Sequence, residues 1–195
     1  AWQAAKLCVS SADANVHEAI SHLGLTHLVQ EAFCLAMHNC LSPRHPLHHL
    51  LAPHFQGTLI INSSAEQSLV ASDNTVDRLL AGTIGETVRV SAEARQSYHF
   101  NDEMFPERLR RCGLDSTDLL TVYPYRDDGL LVWGALERFV DSYVARFYPD
   151  EAMIAADAEL QAFVRQLGQY NRRERGRRVG GGVKGVGEAN GGVSS

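Results

Sequence analysis

Residues 17–27 read HEAISHLGLTH, which places His17, His22 and His27 at equal steps of five along the chain. A step of five rotates a side chain by about 500°, so that neighbouring histidines of this series would lie about 140° apart on an α-helix. Hydrogen bonding from residue i to i+5 widens a helix locally and brings such side chains together, and these π-type turns cluster at functional sites. The stretch therefore predicts a metal site and a widened helical turn together.

The histidine series continues with His45 and His54, which gives five histidines in the spacing His-x4-His-x4-His-x17-His-x8-His. Imidazole suits iron, zinc, copper or nickel, and no cysteine shares the spacing, so ligand softness does not select zinc. Two or three histidines leave coordination positions open, as oxygen-using iron sites require. The alternative interpretation is that they are core and surface residues of an ordinary helix. We interpret the histidines outside the series as surface or helix-end residues: His38, His48, His49 and His99.

The rest of the sequence predicts a mainly α fold. Apolar residues recur with a helical period over residues 2–41, until two prolines interrupt the pattern. Further helices are predicted over 64–71, 73–81, 105–112, 130–147 and 157–167. Two stretches have a different pattern. Polar and apolar residues alternate over 86–90, which predicts a short strand, and residues 119–125 are predicted to be an extended segment that stops at a proline.

Charge and glycine content divide the 195-residue chain near residue 168. Residues 1–167 carry 12 Lys and Arg against 21 Asp and Glu, whereas residues 168–195 carry 6 against 2 and hold 9 of the 16 glycines. We predict one folded domain over 1–167 and a Gly/Arg-rich, disordered C-terminal tail over 168–195. The acidic domain argues against nucleic acid as a partner. No apolar run is long enough to form a transmembrane segment.

The four cysteines, Cys8, Cys34, Cys40 and Cys112, form no CxxC pair and are too sparse for a disulfide framework. Such a pattern indicates reduced thiols in an intracellular protein. The first residues carry neither an initiator Met nor the charged start and apolar run of a signal peptide.

From Trp2 to about Leu167, the motifs of the chain resemble those of the lipoxygenase catalytic domain. The five-histidine spacing is the most specific part of this resemblance, and the other motifs follow in the same order as in the family. They include Trp2 with Lys6, Thr26-His27, Glu31, Leu41-Ser42, His45-Pro46, Pro53-His54-Phe55, Ile61-Asn62, Tyr123-Pro124-Tyr125, Asp128-Gly129-Leu130 and Asp157-x-Glu159-Leu160-Gln161. The resemblance implies a partial, lipoxygenase-like helical catalytic domain over 1–167.

The resemblance also implies a non-haem iron site. The second and third histidines of the series bind iron in the family, and these are His22 and His27 here. His17, His45 and His54 belong to the series without binding the metal, which implies that they are structural or orient the ligand imidazoles. No catalytic residue beyond the iron is implied.

The implied activity is the insertion of O2 into polyunsaturated fatty acids of the linoleate or arachidonate type, a step of oxylipin biosynthesis. In the family, a hydrogen leaves the methylene between two cis double bonds, and O2 adds to the opposite face of the radical to give a hydroperoxide. Ala65 stands where the family has Ala or Gly, a choice associated with S or R products, and so implies an S hydroperoxide. The implied location is the cytoplasm or a plastid, and the sequence does not choose between them.

Several parts of a lipoxygenase have no counterpart in this sequence. The iron of the family also takes a third histidine, often an asparagine, and the carboxylate of a C-terminal Ile. The amino-terminal β-barrel lipid-binding domain of many members is absent too, so peripheral membrane contact is expected only through that missing domain. We therefore expect an incomplete piece of a dioxygenase with little or no activity of its own.

Two other functions stay open at this point. One is a non-catalytic helical module that binds a metal or a partner without turnover. The other is a zinc hydrolase that uses the same histidines, with Glu18 as its general base. Glu18 also stands where the plant lipoxygenases usually have Gln, a difference that alters the hydrogen bonds near the metal.

Overall fold

The computed structural model describes residues 1–176, and within this range all regular secondary structure is helical. The α-helices are α1 (Trp2–Val16), α2 (Val29–Cys40), α3 (Pro46–Leu51), α4 (Thr58–Ser68), α5 (Thr75–Leu79), α6 (Ile84–Gln96), α7 (Phe105–Arg111), α8 (Pro124–Val144), α9 (Glu151–Ala156) and α10 (Ala158–Gly176). A π-helix, His17–Leu28, joins α1 to α2, and short 3₁₀ turns cover Ala52–Phe55 and Phe100–Glu103. The predicted mainly α fold is confirmed, and most of the predicted tail, residues 177–195, lies outside the described range.

Residues 2–40 form one continuous helical rod whose hydrogen bonding changes in the middle. The rod contains no proline, so no residue lacks the N–H that a helical ladder needs. The Thr26 hydroxyl donates to the Ser21 carbonyl oxygen at 2.8 Å, one residue further back than a Thr reaches in an α-helix. The widened turn predicted from the histidine spacing is confirmed, and it extends over 12 residues rather than one turn.

The core forms where α2 packs against α10. Ala36, Met37 and Leu41 are almost completely buried and pack with Phe163. Burial of side chains as large as Met37 and Phe163 stabilises the fold by about 1.5–3 kcal/mol each. Partly buried residues surround this cluster: Phe33, Cys40, Leu47, Leu51, Ala52, Phe55, Leu160 and Leu167. The core therefore anchors the C-terminal end of the rod.

The π-helix itself is held by α6, which packs along it. The closest approach is at Gly24, where an added Cβ would lie 2.8 Å from the Ser91 carbonyl oxygen and 3.3 Å from the Ala94 Cβ. The buried Ser91 hydroxyl is 2.6 Å from the Ala19 carbonyl oxygen, within hydrogen-bond distance of the π-helix. Because neither backbone can withdraw without losing this contact, the position requires glycine.

A buried hydrogen-bond network connects the start of α3 to the start of α10. The Leu47 N–H donates to His45 Nδ1 at 3.1 Å, so the proton of this imidazole is on Nε2. His45 Nε2 lies 3.0 Å from Asp157 Oδ2, and the Tyr148 hydroxyl donates to the same oxygen at 2.6 Å. Asp157 Oδ1 accepts the Leu160 N–H at 2.9 Å, the geometry of a helix N-cap. His45 is therefore a structural residue that fixes two helix starts against each other.

Two opposing effects set the pKa of Asp157. Burial raises it, but the hydrogen bonds from the Leu160 N–H, Tyr148 and His45 outweigh burial and leave the pKa below its ordinary value. Burial, together with the hydrogen bond to Asp157, raises the pKa of Tyr148 far above its usual range. The carboxyl is therefore ionised and the phenol protonated at neutral pH, as the network requires.

The predicted strand over 86–90 is wrong, because these residues lie inside α6. Thr83 precedes the helix and forms a capping box with Glu86. The Glu86 N–H donates to the Thr83 hydroxyl at 3.3 Å, and the Thr83 N–H donates to the Glu86 carboxylate at 2.9 Å. The capped helix start outweighs the alternating pattern of this segment.

The predicted extended segment over 119–125 is also wrong, since it is a loop that ends where α8 begins. Buried Arg126 donates to the Ser116 and Leu120 carbonyl oxygens at 3.1 and 2.9 Å, which folds the loop back on the helix start. Pro124 is the first residue of α8, a position that suits a residue without an N–H.

The remaining predicted helices occur with shifted ends. The helix predicted over 64–71 is α4, which begins at Thr58, and the one predicted over 73–81 is reduced to α5 after Asp73, whose φ is +63°. Helix α10 continues to Gly176 and thereby crosses the predicted domain boundary at residue 167. None of the helices within residues 1–176 has both the length and the apolar character needed to cross a membrane.

Replacing Gly24 with Ala should destabilise the fold, because the new Cβ would meet main-chain atoms of α6 at 2.8 Å. We expect the free energy of unfolding in urea to fall by about 1–3 kcal/mol. Gly85→Ala is the matched control in α6, since its Cβ would meet nothing within 4 Å, and it should stabilise the helix by up to about 1 kcal/mol. Equal stability of the two variants would contradict the close approach.

The lowered pKa of Asp157 predicts a loss of stability in acid. A carboxyl whose folded-state pKa lies below its unfolded value of about 3.9 contributes fully above that pH, and its contribution is lost as the pH falls through the folded value. Asp157→Asn should therefore lower the unfolding free energy at neutral pH and flatten its decline below about pH 4. Chemical denaturation at several pH values measures both, with Asp118→Asn as an exposed control outside the network. A variant with the wild-type acid profile would disprove the assignment.

Candidate metal centre

The π-helix brings the imidazoles of His22 and His27 together on one side of the rod. Their Nε2 atoms lie 3.1 Å apart, and their ring centroids are separated by 4.8 Å. An α-helix would have directed the two side chains about 140° apart, so their meeting is a direct result of the i→i+5 bonding.

Asn62 of α4 fixes the tautomer of His27. Its Nδ2 donates to the Glu31 carboxylate at 2.7 Å and to the His27 carbonyl oxygen at 3.2 Å. Its Oδ1 lies 2.7 Å from His27 Nδ1. Since an amide oxygen only accepts, Nδ1 must carry the imidazole proton, and the Nε2 of His27 presents a bare lone pair.

Glu18 does the same for His22 from the preceding turn. Its Oε2 lies 2.8 Å from His22 Nδ1, so the carboxylate accepts a hydrogen bond from the Nδ1–H and turns Nε2 towards His27. Both side chains are about half exposed, at 50% and 49%. Glu18 faces the ring nitrogen remote from the gap between the two Nε2 atoms, so it orients His22 and is not placed as a base beside a metal. This arrangement disfavours the zinc-hydrolase alternative.

The two bare nitrogens fit a metal ion. With the imidazole protons on Nδ1, both Nε2 atoms direct lone pairs into the space between the rings, where one cation would bind both. Nitrogens roughly 2.1 Å from one ion would be 3.1 Å apart at an angle of about 95°, near the right angle between neighbouring ligands of an octahedral ion. Within residues 1–176 no group of three or more His, Cys, Asp and Glu side chains is arranged to hold a metal. The described part of the chain thus offers two candidate ligands, His22 and His27.

The other predicted site residues lie apart from this pair. His17 is exposed, and its ring stacks beside that of His22 with a centroid distance of 6.5 Å. His54 is exposed in the 3₁₀ turn after α3. Ala65 is half-buried in α4, one turn after Asn62, and its carbonyl oxygen accepts the N–H groups of the next turn. None of them adds a ligand beside His22 and His27.

A groove begins at His22, where Glu103 and Arg108 also line it, and becomes mainly apolar as it follows the rod towards α10. It consists of three adjoining cavities of about 350, 420 and 400 Å³. The first contains His17 and His22 and shares Leu25, Thr26 and Tyr98 with the second. The second shares Val29, Phe33, Tyr98 and Phe100 with the third, which ends at Leu167 and Gly168. The candidate metal centre therefore opens onto a surface that suits an apolar chain.

Sequence reasoning missed the roles of Asn62 and Glu31 in holding His27. The two residues lie 31 positions apart and on different helices, so no local spacing connects them. The only signal in the sequence is a polar residue, Asn62, on another helix. To recognise its role one must know how α4 packs on the rod.

Comparison with known proteins identifies the family. The lipoxygenase family model matches residues 1–176. The linoleate 9/13-lipoxygenase of Pseudomonas aeruginosa is 45% identical over 166 residues, which cover 85% of this chain and 24% of that protein. The chloroplastic lipoxygenase 3 of Arabidopsis thaliana is 41% identical over 172 residues, which cover 83% of this chain and 19% of the relative. The chain spans about a quarter or less of these relatives.

Solved structures agree with this identification. A LOX deletion variant in complex with arachidonate superposes with a TM-score of 0.76 at 31% identity, over 84% of this chain and 24% of that one. A fungal lipoxygenase from Fusarium graminearum has a TM-score of 0.74 at 23% identity, over 89% and 28%, which shows the fold alone. The resemblance found in the sequence is confirmed, and the chain belongs to the lipoxygenase family, of whose helical catalytic domain it represents a part.

Proposed function

We propose that this chain is the iron-binding part of a non-haem dioxygenase that inserts O2 into polyunsaturated fatty acids of the linoleate or arachidonate type. The observation that carries the proposal is the 3.1 Å separation of the two bare Nε2 atoms of His22 and His27. The substrate class is supported by the relative named for linoleate and by the related structure that contains arachidonate. The products would be hydroperoxides of the oxylipin pathway.

His22 and His27 would hold the iron, which supplies the one-electron redox chemistry of the reaction when bound. Glu18 and Asn62 accept hydrogen bonds from the two Nδ1 atoms and so turn the Nε2 atoms towards the ion. His45 serves the fold through Asp157, which agrees with its proposed structural role. His17, whose ring stacks beside that of His22, and His54 in the 3₁₀ turn would not bind the metal.

The apolar groove beside His22 supports a fatty acid as the partner. Its lining is aliphatic and aromatic, and it leads away from the proposed iron site along the rod. A polyunsaturated acyl chain bound in such a groove would be shielded from water while one methylene lies near the metal. Ala65 would favour the S hydroperoxide, as the family's choice of Ala or Gly at this position implies, and it lies on α4, the helix that contacts His27.

The remaining proposals concern organisation. A catalytic region over 1–167 would be followed by a distinct tail over 168–195. The protein would be intracellular, in the cytoplasm or a plastid, and two relatives named as chloroplastic are compatible with this location. With two ligands, residues 1–176 alone would hold iron weakly and turn over little or no substrate. The alternative is therefore a non-catalytic metal-binding module. Such a module would turn over no substrate even when the rest of the domain is supplied.

A chimera separates these alternatives. We would replace the matching segment of the P. aeruginosa linoleate 9/13-lipoxygenase with residues 1–176 of this chain. The chimera should bind iron and convert linoleate into conjugated-diene hydroperoxide, measured by ultraviolet absorbance and oxygen uptake. His22→Ala or His27→Ala should abolish both iron content and turnover, because each removes a ligand.

His49→Ala is the matched control, since His49 is exposed on α3 and outside the histidine series. It should leave iron content and activity unchanged. A folded chimera that contains iron but does not oxidise linoleate, beside an active parent enzyme, would sink the dioxygenase proposal and favour the non-catalytic module.

A further inference from the structure

Asn62 directs both of its amide donors and its amide oxygen to the helical turn that carries His27. Its amide oxygen faces His27 Nδ1 at 2.7 Å. Its amide nitrogen donates once to the Glu31 carboxylate at 2.7 Å and once to the His27 carbonyl oxygen at 3.2 Å. An asparagine amide has two N–H donors, so both are committed.

These partners decide which way the amide points. In the reversed orientation its oxygen would face the carboxylate of Glu31 and the carbonyl oxygen of His27, which are both acceptors. Acceptor atoms would then face each other with no N–H between them, which costs about 1–3 kcal/mol per buried unsatisfied group. Glu31 therefore holds the amide oxygen towards His27, and its effect on the imidazole passes through Asn62.

The restraint on His27 differs from that on His22. Glu18 and His22 are four residues apart on one helix and half exposed, an arrangement that contributes little. Asn62 belongs to a different helix, is half-buried, and grips both the ring and the main chain of His27. The ring is thereby fixed relative to its own backbone as well as to α4.

We propose that Asn62, oriented by Glu31, is the positioning residue that holds His27 as the Nδ1–H tautomer and aims its Nε2 at the metal. The metal part of this inference rests on the proposed function, whereas the tautomer is a property of the chain itself. A neutral amide suits this role, because a carboxylate at position 62 would face the carboxylate of Glu31 across the 2.7 Å that the amide N–H now spans.

Heteronuclear NMR of the imidazole nitrogens in the full chain, without metal and at mildly alkaline pH, tests the tautomer. Wild-type His27 should have a protonated Nδ1 and an unprotonated Nε2. Asn62→Leu should let the proton distribute over both nitrogens, because it removes the acceptor that faces Nδ1. Asn15→Leu is the matched control, since Asn15 binds the Ala81 N–H and the Ser11 carbonyl oxygen away from the histidines.

Titration with cobalt(II) adds a second readout. Asn62→Leu should weaken cobalt affinity roughly tenfold or more, whereas Asn15→Leu should not change it. The proposal is overturned if wild-type His27 is protonated on Nε2, a result that stands even if Asn62→Leu does not fold. It is also overturned if Asn62→Leu keeps both the tautomer and the affinity. If His27 has the predicted tautomer but the chain binds no cobalt, the proposed function is contradicted and the positioning role of Asn62 stands.

Discussion

The i→i+5 hydrogen bonding of His17–Leu28 determines which side chains of the helical rod meet. A π-helix is less favourable than an α-helix, so other contacts must sustain it over 12 residues. The structure shows three of them, namely the Thr26 hydroxyl on the Ser21 carbonyl, the close approach of α6 at Gly24, and Ser91 beside the Ala19 carbonyl. The packing of α6 therefore supports the hydrogen bonding that brings the histidines together.

The chemistry of the site follows from how the imidazole protons are distributed. Each Nδ1 has an acceptor, Glu18 for His22 and Asn62 for His27, so each Nε2 is left with a lone pair. Both lone pairs then point into the 3.1 Å gap between the two Nε2 atoms, and a cation bound to both would stabilise this arrangement. Membership of the lipoxygenase family gives this cation an identity to be tested, because the family in general uses non-haem iron.

The sequence predicted the parts that depend on local spacing. The histidine series predicted the π-helix, and long apolar periodicity predicted the rod and α8. It failed in two segments. Residues 86–90 alternate like a strand, but the capping box of Thr83 and Glu86 begins a helix there. The loop before Pro124 is held by hydrogen bonds from buried Arg126. The role of Asn62 could not be predicted, because it depends on how α4 packs across the rod from Glu31.

The convergence of His22 and His27 is the central claim, and anomalous X-ray diffraction from crystals of the full chain soaked with cobalt(II) tests it most directly. One anomalous peak should appear roughly 2.1 Å from both Nε2 atoms, with the helix around it in i→i+5 bonding. A peak on one of the two imidazoles alone, or an α-helical turn that separates them, would contradict it.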